Sequence, residues 1–262
     1  MEIFALILLG IIAGIFAGLL GVGGGVVIVP VLVWIFQTYA EIPPTHLMHI
    51  AIGTSLSTIV LTSLSSIRAH HQHGAVQWST VWQLTPGIII GTLLGALIAD
   101  ALPNTSLQRF FAVFILFISV QFSINIQPAS HRQLPGGLAM GAVGWIIGQI
   151  SALVGIGGGS LTVPFLIGCN VPVRHAIATS AACGFPIAVF GTIGFIATGW
   201  HLNNLPTWSS GYIYWPAFFA IAPASWLFAP LGAKLAHTLP VKLLKKIFAV
   251  YLAVVGVKML LA

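Results

Sequence analysis

Two glycine clusters, each interrupting a hydrophobic run and each closed by a proline, constrain this chain more than any other feature. They read GVGGGVVIVP at 21–30 and GIGGGSLTVP at 155–164, and six of the ten positions are identical at an offset of 134. In hydrocarbon an unpaired backbone group is costly, so irregular backbone at membrane depth survives only where protein buries it or where it lines a cavity. The surroundings here are hydrocarbon. Of 262 residues, 58% are hydrophobic and 5% charged, whereas a soluble domain carries about 25% charge.

Apolar stretches run over 3–36, 47–67, 79–99, 107–124, 134–168, 175–198, 212–235 and 243–261. Six match the ~20 residues that cross a bilayer, and the first and fifth, which hold the glycine clusters, are too long for one helix. The N-terminus has no Lys or Arg ahead of its apolar stretch and no small-residue cleavage site, so it reads as a first membrane segment and not a cleaved signal. The duplication extends beyond the glycines: AIGTS at 51–55 matches AIATS at 176–180, and Pro86, Gly95, Pro103 and Phe111 match Pro223, Gly232, Pro240 and Phe248. The expected organisation is an N-terminal repeat over 1–126 and a C-terminal repeat over 133–262. Each is a glycine-broken element followed by three spans, in an all-α polytopic membrane protein. Repeats of this kind place a transport site at the interface between halves.

If each glycine element is a hairpin, each half has three full spans and the second half is inverted. Arg68, Arg132, Arg174, Lys234, Lys242, Lys245 and Lys246 then share one side, with Arg109 and Lys258 opposite. If each is a broken span, the halves are parallel and the charge bias is weaker. The positive-inside rule therefore favours hairpins, inverted halves and both termini outside the cytoplasm. The segment from Trp200 to Gly211, with no Lys or Arg, suits an external loop with interfacial Trp anchors.

Glycines without side chains let the backbone turn sharply and let a ligand approach N–H groups. A short helix is predicted after each cluster, over 26–36 and 160–167, and a helix N-terminus offers free N–H donors and a positive partial charge. The candidate anion site therefore comprises Gly23, Gly24, Gly25, Gly157, Gly158, Gly159 and Ser160. Hydroxyl donors are expected from Thr54, Ser55, Thr179 and Ser180 in the next helices, and Arg174 is placed either as an oxyanion partner or as a topology anchor. The competing reading is that the glycines only let helices pack closely. Asp100, His49 and His175 are the candidates for proton coupling.

Other chemistries find little support. The acids number three, Glu2, Glu41 and Asp100, too few for a carboxylate-lined cation path. Cys169 and Cys183 read as small core residues. The run from Arg68 to Gly74 contains His70, His71 and His73 but no cysteine or carboxylate, and reads as a solvated loop more than a metal site. No Walker motif and no catalytic constellation is present, so no catalytic residue, metal or cofactor is expected. The positive charge reflects topology and not nucleic-acid binding.

The double Gly-x-Gly-Gly-Gly-x(4)-Pro pattern, the Thr-Ser in each following helix, the two halves and the overall size resemble the sulfite exporter TauE/SafE family over nearly the whole chain. The resemblance implies a multi-pass permease of the bacterial cytoplasmic membrane whose substrates are small sulfur-containing anions such as sulfite, sulfoacetate or other sulfonates. The expected function is secondary transport by alternating access. The alternatives are a passive anion channel and a divalent-cation permease using His70, His71 and His73. The expected partners are a small organosulfur or oxyanion substrate, the lipid bilayer, a coupling proton or other ion, and a second copy in a homodimer.

Overall fold

Long apolar sequence without charge folds as helix because only helix satisfies every backbone group within the segment. The structure, a computed structural model, describes residues 2–20, 24–39, 42–124, 134–202, 204–235 and 241–261. Ten helices lie in these stretches: α1 (Glu2–Leu20), α2 (Gly25–Tyr39), α3 (Leu47–Gln72), α4 (Trp78–Ala101), α5 (Asn104–Ile124), α6 (Gly137–Val154), α7 (Gly159–Gly168), α8 (Val173–Gly199), α9 (Trp215–Leu235) and α10 (Val241–Leu261). A two-stranded antiparallel ribbon, β1 (Ser209–Ser210) and β2 (Ile213–Tyr214), precedes α9. Six of the described helices are long and apolar enough to cross a membrane, while α1, α2 and α7 contribute shorter apolar runs. The chain is an all-α polytopic membrane protein.

The contacts fix the relative directions of the helices. A side chain added at Gly10 or Gly14 of α1 would strike the backbone of Ile221 or Ser225 of α9, so α1 and α9 run in the same direction. Helix α3 also runs with α9, through Thr54 to Tyr214, Thr62 to Ser225 and Ser65 to Trp226. Since α1 and α3 point the same way, the chain between them doubles back, and Gly24 lies against the backbone of Ala13. On the other side α4 runs parallel to α6, pairing Gly87 with Gly141, Gly91 with Trp145 and Gly95 with Gln149. It also runs parallel to α8, with Thr92 beside Gly191 and Ala96 beside Gly194. Helices α6 and α8 therefore share a direction and α7 returns between them. The central pair α3 and α8 is antiparallel, since Gly53 faces Phe195 and Leu56 faces Gly191.

Helix α4 packs most extensively on α6, and α1 on α9. Both seams are built from glycine against backbone, at separations that no β-carbon could occupy. In lipid, helix association gains nothing from the hydrophobic effect and relies on such close approach. Proline inside α2, α4, α7, α8 and α9 is tolerated because neighbouring helices and hydroxyls restore the lost hydrogen bonds. The core is continuous, running through α1 to α6, α8, the ribbon, α9 and α10.

Candidate functional site

Both glycine turns use a conformation that side chains resist. Gly24, Gly155 and Gly158 have φ of 71°, 73° and 75°, the left-handed region where a β-carbon costs roughly 1–2 kcal/mol. Gly155 ends α6, its N–H bonding to the Ser151 carbonyl at 2.9 Å. Gly24 and Gly158 start α2 and α7: the Gly24 carbonyl accepts from Val27 and Ile28, and the Gly158 carbonyl from Leu161 and Thr162. The first N–H groups of each helix have no partner within the helix.

The two turns meet. Gly25 packs directly on the Gly155 carbonyl, inside the distance a β-carbon would need, and Gly184 of α8 sits equally close to the carbonyl of Gly157. Ser55 of α3 donates to the Gly155 carbonyl at 2.9 Å. Beside this junction a small cavity of about 20 Å³ is lined by Ala17, Ile59, Thr62, Ser63, Ser66, Gly157, Ala181 and Gly184. That volume holds about one water. Among the described residues, none lining the cavity is charged.

The hydroxyls of the Thr-Ser pairs divide into two kinds. Thr54 accepts from the Tyr214 N–H at 3.0 Å, and Thr179 accepts from the Gln77 N–H at 3.0 Å. These are equivalent bonds, because Gln77 and Tyr214 correspond at an offset of 137 and Thr54 and Thr179 at 125. Each ties one central helix to the start of a helix in the other half of the chain. Thr54, Ser55 and Thr179 are thus engaged in holding the fold. Ser160 and Ser180 are buried, and their hydroxyls have no hydrogen-bond partner. Three further hydroxyls share that condition near the glycine junction: Ser151 in the last turn of α6, Thr162 in the first turn of α7 and Ser66 on the cavity wall. Ser151 and Thr162 flank Gly158, each oxygen 3.5 Å from where its β-carbon would be. A buried hydroxyl without a partner costs about 1–3 kcal/mol, and Ser151, Thr162, Ser160 and Ser66 lie at the Gly158 turn, the start of α7 and the cavity wall.

Sequence reasoning missed Ser151, Thr162 and Ser66. Ser151 and Thr162 stand four positions before Gly155 and four after Gly158, one helical turn on either side of the break, and that spacing would have found them.

Arg174 is exposed at the start of α8 and does not line the cavity. His175 donates from Nδ1 to the Ala75 carbonyl at 2.8 Å, and His49 donates from Nε2 to the Ala99 carbonyl at 2.9 Å. Asp100 accepts from the Tyr212 hydroxyl at 2.7 Å. Gly23, Glu41, Arg132 and His237 lie outside the described residues. Among the described residues no three His, Cys, Asp or Glu side chains converge as a metal site. Cys169 and Cys183 are both buried and free.

Apolar helices that double back at glycine turns, with buried hydroxyls around the junction, fit a polytopic membrane transporter. The sequence comparisons give its family. The model of the sulfite exporter TauE/SafE family matches residues 6–259, and the chain belongs to that family. A probable membrane transporter protein of Haemophilus influenzae is 36% identical over 97% of both chains. The probable membrane transporter protein YunE of Bacillus subtilis is 26% identical over 99% of this chain and 98% of its own. A probable membrane transporter protein of Methanocaldococcus jannaschii is 30% identical over 98% and 94%. No solved structure matches the chain.

Proposed function

We propose that this transporter carries a small sulfur-containing anion, such as sulfite or a sulfonate, by alternating access of two inverted halves, 1–126 and 133–262, and holds it at the glycine junction. The observation that carries the reading is the set of buried, partnerless hydroxyls of Ser151, Ser160 and Thr162 around the start of α7, with Ser180 of α8 a fourth buried hydroxyl in the same condition. Backbone N–H groups at a helix start supply a positive partial charge, and the hydroxyls supply donors, so an anion is held without a fixed cation. The cavity beside the junction has room for about one water, so loading a sulfonate requires the halves to part, as alternating access does. The sulfur chemistry is drawn from the family description, and the site's neutrality suits a small anion of low charge density.

The test is ligand-dependent thermal stabilisation of the purified protein in detergent. Sulfite, sulfoacetate, taurine, thiosulfate and sulfate are compared, because a ligand at about 100 times its Kd stabilises the folded state by about 2.7 kcal/mol. The Ser151→Ala, Ser160→Ala, Thr162→Val triple variant removes three unsatisfied buried hydroxyls, so it is expected to melt no lower than the parent without ligand and to lose the shift. A panel that produces no shift, or a triple variant that keeps it in full, refutes the site. Accumulation against a gradient in proteoliposomes separates a secondary transporter from a channel.

A further inference from the structure

Where α3 begins and α4 ends, the β1–β2 ribbon inserts Tyr212 between them. Tyr212 is 2% exposed. Its hydroxyl donates to Asp100 Oδ1 at 2.7 Å, and its ring stacks on His49 with centroids 5.0 Å apart. Phe195 of α8 meets the other ring contact edge-on at 6.2 Å, and His46 lies 5.8 Å from Tyr212 and 5.9 Å from His49. His49 is itself only 2% exposed. A carbonyl can only accept, so the 2.9 Å contact with Ala99 fixes the proton of the neutral ring on Nε2. Nδ1 is then a bare acceptor, buried and without a partner.

We propose that His49 Nδ1 is the proton-binding site of this transporter, and that its protonation opens this end of the bundle by displacing Tyr212. The role in transport rests on the function proposed above; the opening does not. In this arrangement a proton on Nδ1 has no acceptor, since Nδ1 is buried without a hydrogen-bond partner and the Tyr212 hydroxyl and ring lie between it and solvent, with the hydroxyl bonded to Asp100 Oδ1. A buried charge needs water or a counter-charge. Withdrawal of Tyr212 supplies both, admitting water to the imidazolium and freeing Asp100 to face it. The proton therefore binds the open state more tightly, and by linkage acid populates that state. The step is a proton transfer from water to Nδ1, with no other bond made or broken.

Burial, and then the bond to Asp100, push proton loss from the Tyr212 phenol well above its ordinary range, so it remains a donor throughout. Among the described residues the titratable groups facing one another here are His46 before α3, His49 on α3, Asp100 on α4 and Tyr212 on the ribbon; Glu41 lies outside them. The opposite end of the bundle has no such ring. The position matching Tyr212 at an offset of 137 is Ala75, and its carbonyl accepts from His175. The tyrosine plug over a buried histidine is therefore a feature of the Tyr212 end, while the histidine at the other end, His175, bonds a backbone carbonyl.

The experiment uses no transport substrate. Spin labels are placed at the exposed Thr207 and Thr105, as Thr207→Cys and Thr105→Cys, in full-length protein whose two buried cysteines are replaced by alanine. Distances are read by pulsed electron resonance at about pH 8 and about pH 5.5, either side of the ordinary histidine range. The parent is expected to show one short distance at the higher pH, and a longer population that grows at least about threefold at the lower one. His49→Gln, which keeps a donor for Ala99 but takes no proton, is expected to hold the short distance at both. Asp100→Asn, which weakens the hold on Tyr212, is expected to show the longer distance already at the higher pH, establishing that an open state can be recorded. Identical distributions for the parent at the two pH values overturn the proposal, and so does a full pH response in His49→Gln.

Discussion

Replacing Gly25 with alanine is expected to lower the melting temperature by roughly 5–15 °C, from about 2–4 kcal/mol at roughly 2–4 °C per kcal/mol. The new β-carbon would overlap the carbonyl oxygen of Gly155, and the two turns would have to separate by roughly 1 Å to reach ordinary contact. That carbonyl is backbone and cannot rotate aside, and it is held by the Ser55 hydroxyl at 2.9 Å. Moving it combines an overpacking cost of about 1–3 kcal/mol with loss of a hydrogen bond worth about 1 kcal/mol. The assay is thermal unfolding in detergent followed by loss of the monodisperse peak. Gly137→Ala is the control, since a β-carbon there meets nothing within 4 Å. In a Ser55→Ala background the penalty should shrink by about 1 kcal/mol, because the two changes act on one contact. If Gly25→Ala melts together with Gly137→Ala, the turns are not in contact and the junction as described is wrong.

Two further outcomes follow from named bonds. Thr54→Val and Thr179→Val should each destabilise by about 1–3 kcal/mol, since they leave the N–H groups of Tyr214 and Gln77 without acceptors; amide exchange at those two residues reads the loss, and protection unchanged from the parent at either would refute the equivalence. Tyr212 has a proton-loss range raised by burial and by its bond to Asp100, so its contribution to stability is complete below the ordinary phenol value of about 10 and is lost as pH rises beyond it. The melting temperature should therefore fall more steeply above about pH 10 for the parent than for Tyr212→Phe, and equal slopes would contradict the burial of that phenol.

The helices and the turns between them were legible because hydrophobic run length, glycine and proline act locally. Each long apolar stretch became one helix, and each overlong one split at its glycines, within a few residues of the predicted starts. The glycines were read as either a site or a packing device; the close approach of Gly25 to the Gly155 carbonyl is the packing role, and the site role is the proposal made above. What the sequence did not reveal was which hydroxyls are spent. Thr54 and Ser180 look alike in a repeated motif, yet Thr54 is bonded to Tyr214 while Ser180 has no partner. That difference depends on which distant N–H arrives, a tertiary fact with no local signature. Tyr212 was hidden for the same reason, standing as the first residue of the apolar stretch 212–235 until the ribbon places it against Asp100.

The two central helices also differ in a way their shared motif conceals. Beyond the Thr-Ser pair, α3 carries Thr58, Thr62, Ser63, Ser65 and Ser66, where the matching positions of α8 are Cys183, Ile187, Ala188, Phe190 and Gly191. The seam between α3 and α9 is accordingly crossed by three polar bonds, Thr54 to Tyr214, Thr62 to Ser225 and Ser65 to Trp226. On the matching side Gln77 bonds Thr179, joining the start of α4 to α8, and beyond it α8 meets α4 through small surfaces such as Gly191 against Thr92 and Gly194 against Ala96. Sliding α9 along α3 would break bonds worth about 1 kcal/mol each, whereas small apolar surfaces shear at little cost. An inverted repeat whose seams were equal would have two equal gates. On the transport cycle proposed above, the apolar seam is the one expected to slide, and the hydroxyl-bonded seam is expected to move only when something, such as the proposed proton at its Tyr212 end, offsets the bonds it must give up.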